Sequence, residues 1–434
     1  MQGDKTRIVV GLDIGTTKIC AIVGQMNEFG KLEVLGLGKA ISDGVKEGTV
    51  RNIGKTVHGI LAAVKEAEET SKININVVNA GIAGKHIKST EHHGSFTRKS
   101  NDDEITSEDV NKLTNDMYRI VTEPGSEIIH VMPQHYTVDY EENIKDPVGM
   151  SGVKLEADFH IITAQTNSIR NIKKCVERAD IEIEDMILEP LSSSLSVLSE
   201  EEKEAGIALV DIGGGTTDIA VFQDGIIRHT AVIPFGGNII TSDIKQGCAV
   251  MQNQAEQLKV RFGRALAEEA NENEVVSIPG LRNRPPKEIS IKNLAYIIEA
   301  RMEEIIDLVM LEIERSGYKN RLAGGIVITG GGSMLKNLKQ LFEYKTGMDA
   351  RIGYPNEHLG KCAFEEVKHP LYATAVGLVL AGFRSARELS EEGVTGGLQY
   401  RSKAKQAGGG NFINTILKKT RDLLIDDFDD KATY

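Results

Sequence analysis

Two glycine-rich segments, far apart in the chain, carry the residues best suited to binding an anionic ligand. Residues 9–24 read VVGLDIGTTKICAIVG, and residues 208–222 read ALVDIGGGTTDIAVF. Each passes from an apolar run through Asp-Ile-Gly and Thr-Thr to a charged residue and a second apolar run. This order predicts two hairpins, in which backbone without side chains lets successive N–H groups surround phosphate oxygens. Because the pattern occurs twice, it indicates two related halves and makes an ordinary glycine turn the weaker interpretation.

The side chains of the two segments indicate how binding is divided among them. Lys18 can place a positive charge near the β- and γ-phosphates, and the threonines can add hydroxyl donors. Asp13 and Asp211 are expected to hold hydrated Mg²⁺, because this ion keeps several waters and takes few carboxylates. Neither segment has the spacing of a Walker A loop, or of GxGxxG before a helix. The hairpin residues predicted to contact the ligand are Gly15, Thr16, Thr17, Gly213, Gly214, Gly215, Thr216 and Thr217.

Two further glycine clusters lie between predicted strands and predicted helices. Residues 323–335 read AGGIVITGGGSML, and residues 232–244 read VIPFGGNIITSDI. Glycines at a strand-to-helix switch let a flat ligand lie on the backbone, with a helix N-terminus nearby. Together with the hairpins, these clusters would complete a nucleoside-sized surface. The predicted contacts are Gly236, Gly237, Gly330, Gly331, Gly332 and Ser333.

In order and spacing, these segments resemble the five signature parts of the actin, sugar-kinase and heat-shock-chaperone ATPase superfamily. The parts are the first hairpin (13–18), EPLSSSLSVL (189–198), the second hairpin (211–218), an adenosine turn (329–333) and ATAVGL (373–378). The resemblance implies an α/β fold with two actin-like domains hinged around ATP, each built on a mixed five-stranded sheet.

The same resemblance implies roles for individual side chains. Glu189 would position the attacking water, and Asp211 would act beside it through the water shell of the metal. Glu256 and Lys259 match positions that contact ribose and adenine in that superfamily. An ordinary i,i+3 ion pair on a helix surface is the alternative for these two residues.

Length and composition limit what the chain can be. It has 434 residues, 40% hydrophobic and 26% charged, which is ordinary for a globular protein of two or more domains. The net charge of −12 argues against a nucleic-acid surface covering the molecule, and no nucleic-acid partner is expected. The four cysteines form no CxxC pair, so reduced thiols are expected. No signal peptide is expected, and the apolar run at 371–383 predicts a buried helix, because it is too short to span a membrane.

The segment between the first hairpin and Glu189 predicts a small α+β module over residues 84–165. Within it, ITSEDV offers Thr106 or Ser107 as a helix cap before an acidic first turn. The phrases IIHVMPQHYTVD, MSGVKLEADFHIIT and EARMEEI resemble the FtsA family of bacterial cell-division proteins. In that family a relocated subdomain, called 1C, replaces the one that actin carries at this place. The resemblance runs from Ile8 to about Arg384.

The resemblance also implies how the chain divides. The expected segments are domain 1A at 1–83 and 166–205, subdomain 1C at 84–165, domain 2A at 206–243 and 306–384, subdomain 2B at 244–305, a flexible linker at 385–410 and an amphipathic helix at 411–434.

Residues 244–305 are locally basic within an acidic chain. The resemblance implies that this subdomain receives the short acidic and apolar C-terminal tail of the tubulin-like protein FtsZ. A basic rim around apolar helix residues suits such a peptide, although a solvated face is the alternative. The candidate contacts are Arg301, Lys292 and Arg282, with Arg301 ranked first.

The last part of the chain becomes polar and glycine-rich and then amphipathic. Residues 411–430 read NFINTILKKTRDLLIDDFDD, with apolar residues at helical spacing and cations at their flank. This pattern predicts a helix lying in the surface of the inner membrane, and docking onto another protein is the alternative. The four aspartates after residue 425 oppose an anionic bilayer, so a single helix would bind weakly and polymerisation would strengthen it. The predicted membrane contacts are Phe412, Ile413, Ile416, Leu417, Lys418, Lys419, Leu423 and Leu424.

Together with these features, the resemblance to the FtsA family implies an ATP-binding, actin-like division protein that polymerises at the inner membrane and tethers FtsZ filaments to it during septum (Z-ring) assembly. Its expected partners are the FtsZ tail, other copies of itself, membrane lipid and later division proteins. The expected location is the cytoplasmic face of the membrane at the division site, with any ATP hydrolysis slow. A pilus-assembly-type actin-like ATPase or a chaperone-like ATPase is the alternative.

Overall fold

The computed structural model describes residues 7–98, 104–280 and 285–390 of the chain. The strands in this part are β1 (Ile8–Ile14), β2 (Lys18–Met26), β3 (Leu32–Ile41), β4 (Val45–Lys46), β5 (Thr49–Val50), β6 (Val77–Ile82), β7 (Ile87–Thr97), β8 (Ser126–Val138), β9 (Glu141–Ile144), β10 (Lys154–Gln165), β11 (Glu182–Leu188), β12 (Ile207–Ile212), β13 (Thr217–Gln223), β14 (Ile226–Ile233), β15 (Val275–Ile278), β16 (Lys287–Ser290), β17 (Ile326–Thr329) and β18 (Ala350–Ile352). The α-helices are α1 (Ile53–Ser71), α2 (Ser107–Met117), α3 (Thr166–Glu177), α4 (Glu189–Val197), α5 (Glu200–Ala205), α6 (Gly237–Gly247), α7 (Gln252–Phe262), α8 (Ile291–Arg315), α9 (Leu338–Thr346) and α10 (Ala373–Ser390).

Two mixed five-stranded sheets have the same arrangement of strands. The first has the strand order β11-β6-β1-β2-β3, and the second has the order β14-β13-β12-β17-β18. In each, three consecutive strands pair antiparallel, and two later strands add in parallel beside the first of them. The repeated hairpin sequence therefore corresponds to a repeated sheet, and the expected pair of actin-like halves is confirmed.

The alternation of side chains along β1 shows why helices cover both faces of the first sheet. Val10, Leu12 and Ile14 lie in the core cluster that also contains the inward residues of α1 and α3. Val9 points to the opposite face and packs with residues of α10. Since successive residues of a strand alternate between faces, a strand buried on both sides must be apolar nearly throughout. The sequence of β1, IVVGLDI, has this character.

Helices α4 and α10 cross where their backbones come very close. A methyl group added to Gly377 in α10 would lie 1.8 Å from the carbonyl oxygen of Ser192 in α4. Ser196 Oγ donates a hydrogen bond of 2.7 Å to the carbonyl oxygen of Ala373 at the same crossing. The apolar run at 371–383 thus lies mostly within a buried helix. Among the helices that the structure describes, none combines the length and the apolar character needed to cross a bilayer.

The inserted module has its own antiparallel sheet, in the order β7-β10-β8-β9. Helix α2 covers this sheet and packs Val110 and Leu113 into its core. Thr106 caps the helix, since its Oγ1 accepts from the backbone N–H of Asp109 at 3.3 Å. In return, Asp109 Oδ2 accepts from the backbone N–H of Thr106 at 3.0 Å. This reciprocal cap is the one that ITSEDV predicts.

In the second half, α6, α7, the β15–β16 hairpin and α8 share a core with the second sheet. The domain boundaries stay predictions. Helix α10 continues through Ser390, past the point at which a linker was expected to begin. The predicted membrane helix and residues 391–410 of the predicted linker lie outside the described residues.

The helix crossing provides a test of the fold. Gly377→Ala should lower the free energy of unfolding by about 1–3 kcal/mol, because the added methyl cannot fit against the Ser192 carbonyl oxygen without moving a helix. The measurement is urea denaturation. Gly54→Ala is the matched control, since its methyl would lie 3.6 Å from its nearest neighbour, Asn52 Oδ1, in the first turn of α1. This control should be neutral or stabilising. Equal effects of both substitutions would contradict a rigid crossing.

Candidate nucleotide-binding site

The two predicted hairpins face each other across a cleft. They are the turns between β1 and β2 and between β12 and β13. A methyl group added to Gly214 would lie 1.9 Å from Thr17 Oγ1, and one added to Gly215 would lie 2.6 Å from Thr16 Oγ1. The bare backbone at these positions is therefore needed for contact between the two hairpins, as well as for access to a ligand.

Both halves of the chain line one cavity of about 340 Å³ beside this contact. Its wall includes most of the residues predicted from the sequence, namely Asp13, Gly15, Thr16, Thr17, Lys18, Glu189, Asp211, Gly213, Gly214, Gly215, Thr216, Gly237, Glu256, Lys259, Gly330, Gly331 and Gly332.

Three predicted residues are not part of the cavity wall. Thr217 is fully buried, and its Oγ1 donates to the carbonyl oxygen of Phe235 at 2.8 Å. Ser333 is also buried, and its Oγ donates to the carbonyl oxygen of Gly330 at 2.7 Å. Gly236 packs beneath the second hairpin, where an added methyl would lie 2.5 Å from the carbonyl oxygen of Gly213. These residues support the shape of the site from behind.

Four carboxyl groups surround the floor of the cavity, and one of them was not predicted to contact the ligand. Asp13, Glu189, Asp211 and Asp218 all line it. Asp218 occupies in the second hairpin the position that Lys18 occupies in the first, which is the signal that could have identified it. Its Oδ2 accepts from Thr216 Oγ1 at 2.8 Å, whereas its Oδ1 is buried without a partner among the described residues.

Burial and repulsion between carboxylates raise the pKa values in this cluster. Burial raises the pKa of Asp13 to about 6, although the charge of Lys18 opposes the shift. Burial and the charge of Asp211 raise the pKa of Asp218 to about 8. Burial, followed by the charges of the three aspartates, raises the pKa of Glu189 well above its ordinary value. The cluster therefore favours protons or a neutralising cation.

Asp211 is held by hydroxyl groups from both crossing helices. Its Oδ2 accepts from Ser193 Oγ in α4 at 2.5 Å and from Thr374 Oγ1 in α10 at 3.2 Å. Burial raises the pKa of Asp211, and these two hydrogen bonds oppose the rise. The helix crossing and the position of this carboxylate are thus directly connected.

Lys18 is held at the opposite wall by the segment that precedes α10. Its Nζ donates to the carbonyl oxygen of Leu371 at 2.8 Å and lies 3.9 Å from the ring centre of Tyr372. The imidazole of His130 holds the C-terminal end of β11, directly before Glu189. Its Nε2 accepts from the backbone N–H of Leu188 at 3.0 Å, and burial lowers its pKa to about 3.

Glu256 and Lys259 form the predicted i,i+3 ion pair at 2.8 Å, and both also line the cavity. Lys259 Nζ additionally donates to the carbonyl oxygen of Gly237 at 2.9 Å and to Thr241 Oγ1 at 2.8 Å. The two interpretations of these residues are therefore compatible, because the ion pair forms within the cavity wall. An apolar surface formed by Ile240, Val260, Met302, Met334 and Leu335 completes this side.

The arrangement suits a nucleotide with a hydrated cation. Glycine hairpins and Lys18 can receive phosphates, the apolar wall can receive a base, and a cation would relieve the carboxyl cluster. Within the described residues, no three His, Cys, Asp or Glu side chains are grouped to hold a metal directly.

Two of the predicted partner residues, Arg301 and Lys292, do not line the cavity. Arg301 binds Asp243 through Nε–Oδ2 at 2.6 Å and Nη2–Oδ1 at 3.2 Å, and it also pairs with Glu304 at 2.5 Å. Lys292 pairs with Glu272. Because nine positions of an α-helix turn through half a circle beyond two full turns, Lys292 and Arg301 occupy opposite flanks of α8. Arg282 and the predicted membrane residues at 412–424 lie outside the described residues.

The raised pKa values of the carboxyl cluster predict that the stability of the folded protein depends on pH. The pKa of Asp218 is raised to about 8 from an unfolded value near 3.8, so its ionisation destabilises the folded chain increasingly as pH rises through this range. Asp218→Asn should therefore stabilise the nucleotide-free protein by about 1–3 kcal/mol at high pH, and by less toward pH 5. Urea midpoints at several pH values measure this difference. Asp43→Asn, at an exposed carboxylate, is the control. A stability difference for Asp218→Asn that stays constant with pH would contradict the assignment.

Comparisons with known proteins identify the family. A family model described as "Cell division protein FtsA" matches residues 208–377, and one described as "SHS2 domain inserted in FTSA" matches residues 84–163. The chain is 40% identical over 390 residues to cell division protein FtsA of Pseudomonas aeruginosa, covering 90% of this chain and 93% of that protein. It is 37% identical over 386 residues to FtsA of Escherichia coli K12, covering 87% and 91%.

Solved structures share the fold at low identity. A PilM–PilN type IV pilus biogenesis complex matches with a TM-score of 0.62 and 15% identity, covering 86% of this chain and 98% of that chain. MreB5 of Spiroplasma citri bound to ADP matches with a TM-score of 0.55 and 16% identity, covering 90% and 100%. At 15–16% identity, these two matches indicate the fold alone. The two family models and the two relatives, in contrast, all indicate FtsA. The chain therefore belongs to the FtsA family of bacterial cell-division proteins.

Proposed function

We propose that this protein binds ATP with Mg²⁺ in the cavity between its two halves, and that the nucleotide controls their closure. The observation that carries the proposal is the contact of the two Gly-Thr hairpins beside a cavity lined by buried carboxyl groups and Lys18. MreB5 structures with the same fold contain ADP or AMPPNP, which supports the choice of ligand. A ligand held by both hairpins would stabilise the closed arrangement, because it contacts both halves at once.

Each group of residues in the cavity has a distinct proposed task. Bare backbone in the hairpins receives phosphate oxygens, and Lys18 adds a positive charge beside them. Asp13 and Asp211 orient the water shell of the metal. The bound nucleotide and metal supply a phosphoanhydride and a divalent charge. Glu189, whose pKa is raised, can position a water and accept its proton, so we propose Glu189 and Asp211 as the catalytic pair.

We infer the cellular role from family membership together with the end of the sequence. The protein would polymerise on the inner membrane, tether FtsZ filaments to it during septum assembly and recruit later division proteins. The amphipathic residues at 412–424 support the membrane step, because their pattern suits an interfacial helix. The pilus-assembly alternative shares the fold at 15% identity, far below the 37–40% identity to division proteins. No observation favours a chaperone role.

A double-mutant cycle tests the proposed nucleotide site. Gly214→Ala should weaken binding of Mg·ATP by about tenfold or more, because its methyl meets Thr17 Oγ1 and holds the hairpins apart. Thr17→Ala should weaken binding less, by about threefold, through the loss of one hydroxyl group. The double variant should bind no more weakly than Thr17→Ala alone, since the colliding oxygen is gone.

Isothermal titration calorimetry, supported by thermal shifts, measures the four affinities of this cycle. Independent, additive losses would show that the two hairpins do not meet in the bound state. If the unsubstituted protein gives neither heat nor a melting shift with excess Mg·ATP, the nucleotide proposal itself is wrong.

Arg301 provides a separate test of the FtsZ contact. Arg301→Gln should weaken binding of an FtsZ C-terminal peptide by about tenfold, because a partly buried arginine is replaced at a site suited to acidic peptides. Arg315→Gln is the control, since Arg315 lies on the same helix and pairs with Glu312 as Arg301 pairs with Glu304. Fluorescence anisotropy measures both. Equal affinities of the two variants would remove Arg301 from the interface.

A further inference from the structure

The outward face of helix α3 carries a concentration of positive charge. Its inward residues, among them Ile169, Ile172 and Val176, are buried in the core of the first half. With a helical repeat of 3.6 residues, the remaining positions form the opposite face. That face presents one acidic residue, Glu177, and the exposed cations Arg170, Lys173, Lys174 and Arg178, the last at the C-cap.

These four cations differ from many others on the surface, because none forms an ion pair within 4.0 Å among the described residues. Other lysines on the surface form ion pairs. The Nζ atoms of Lys39, Lys88 and Lys368 lie 2.5, 2.6 and 2.7 Å from carboxylate oxygens of Glu366, Glu123 and Glu365. In a chain with 63 acidic and 51 basic residues, adjacent uncompensated cations are unexpected. Their positive field is therefore available to an external anion.

The start of helix α1 extends the same patch. Arg51 and Lys55 are exposed there, and neither forms an ion pair with another described residue. The two helices are adjacent, since Cys175 Sγ of α3 lies 4.0 Å from the carbonyl oxygen of Ile53. We name this surface the α3 basic face. It consists of Arg51, Lys55, Arg170, Lys173, Lys174 and Arg178.

The C-terminal end of α3 and the C-terminal part of α10 lie at the same end of the first sheet. After α3 the chain enters β11, whose first residue, Glu182, pairs with Val77 at the start of β6. Near its C-terminal end, α10 approaches the same end of the sheet, because a methyl on Gly382 would lie 2.5 Å from Val9 Cγ1 near the start of β1. Residues 391–410 then separate α10 from the predicted membrane helix.

We propose that the α3 basic face is a second membrane contact, which takes the anionic headgroups of the inner bilayer. This inference rests on the proposed membrane tether. Binding of an interfacial helix depends on its buried apolar area and on electrostatic attraction to anionic lipids, so a basic patch elsewhere on the protein would strengthen attachment. A second contact would add to the avidity of polymerisation here, because the tail carries four aspartates after residue 425 and the whole chain has a net charge of −12. Each cation close to an anionic bilayer strengthens binding by roughly fivefold.

The experiment compares vesicle binding of the full chain with Mg·ATP and three altered forms. One carries Arg170→Gln, Lys173→Gln and Lys174→Gln. A charge-matched control carries Lys245→Gln, Lys319→Gln and Lys339→Gln in the second half, and the third form lacks residues 411–434. Vesicles of phosphatidylcholine with about one-third phosphatidylglycerol are compared with pure phosphatidylcholine, and pelleted protein is measured against lipid concentration.

The α3 variant should lose about a hundredfold in apparent affinity for the anionic vesicles, because it lacks three cations that each contribute roughly fivefold, while the control keeps the affinity of the unsubstituted protein. On neutral vesicles all forms that retain the tail should bind alike. Three results would overturn the second contact: unchanged binding of the α3 variant to anionic vesicles, an equal loss on neutral vesicles, or an equal loss by the control. Selective loss of binding to polyglutamate, with vesicle binding intact, would reassign the face to an acidic protein.

The tail deletion separates this inference from the proposed function. If the deletion abolishes pelleting while the α3 variant behaves like the unsubstituted protein, the tether stands and the second contact is wrong. If deleting the tail changes nothing on either vesicle, the tether itself is wrong, and the second contact falls with it. A melting midpoint and Mg·ATP affinity equal to those of the unsubstituted protein would show that the α3 variant is folded.

Discussion

Contact between two glycine-threonine hairpins is the constraint on which the rest of this structure depends. Each hairpin comes from a different half of the chain, yet Gly214 and Gly215 lie directly against Thr17 and Thr16. Any larger residue at either glycine would separate the halves, because its first carbon would overlap the opposite threonine. A second close approach, of Gly377 to the Ser192 carbonyl oxygen, occurs where the connecting helices cross. The relative placement of the halves thus depends on small residues at two points.

The electrostatics of the cleft follow from this closeness. Bringing the halves together places the carboxyl groups of Asp13, Glu189, Asp211 and Asp218 in the wall of one small cavity, with Lys18 beside them. Burial raises the pKa of all four groups, and repulsion between carboxylates adds to the rise for Asp13, Glu189 and Asp218. A cleft with this charge distribution is better satisfied by a cation that arrives with phosphates than by protein side chains alone. The hydroxyl groups of Ser193 and Thr374 connect Asp211 to the helix crossing, so the crossing and the carboxyl cluster are directly linked.

Within the part of the chain that the structure describes, some surface cations are paired with carboxylates of the same chain, and others are not. The two groups differ in how they can bind an anionic partner. Arg301 and Lys292 are already bound by carboxylates of the same chain, so an acidic peptide must share or displace these partners. The α3 basic face has no such partners among the described residues and meets an external anion without that competition. A network of internal ion pairs therefore favours a shaped, specific contact, whereas uncompensated cations favour a broad anionic surface.

The amino-acid sequence by itself determined the two hairpins, the repeated halves, the cap at Thr106 and most of the cavity wall. These features depend on local chemistry, because glycine, threonine and alternating apolar residues have the same backbone preferences wherever they occur. Only the tertiary structure decided that Gly214 touches Thr17, that Thr217 and Ser333 face away from the cavity and that Asp218 joins the carboxyl cluster. It also decided that Asp243 holds Arg301 across 58 positions of sequence. Such contacts join residues remote in the chain, so no local pattern encodes them and the packing of whole elements sets them.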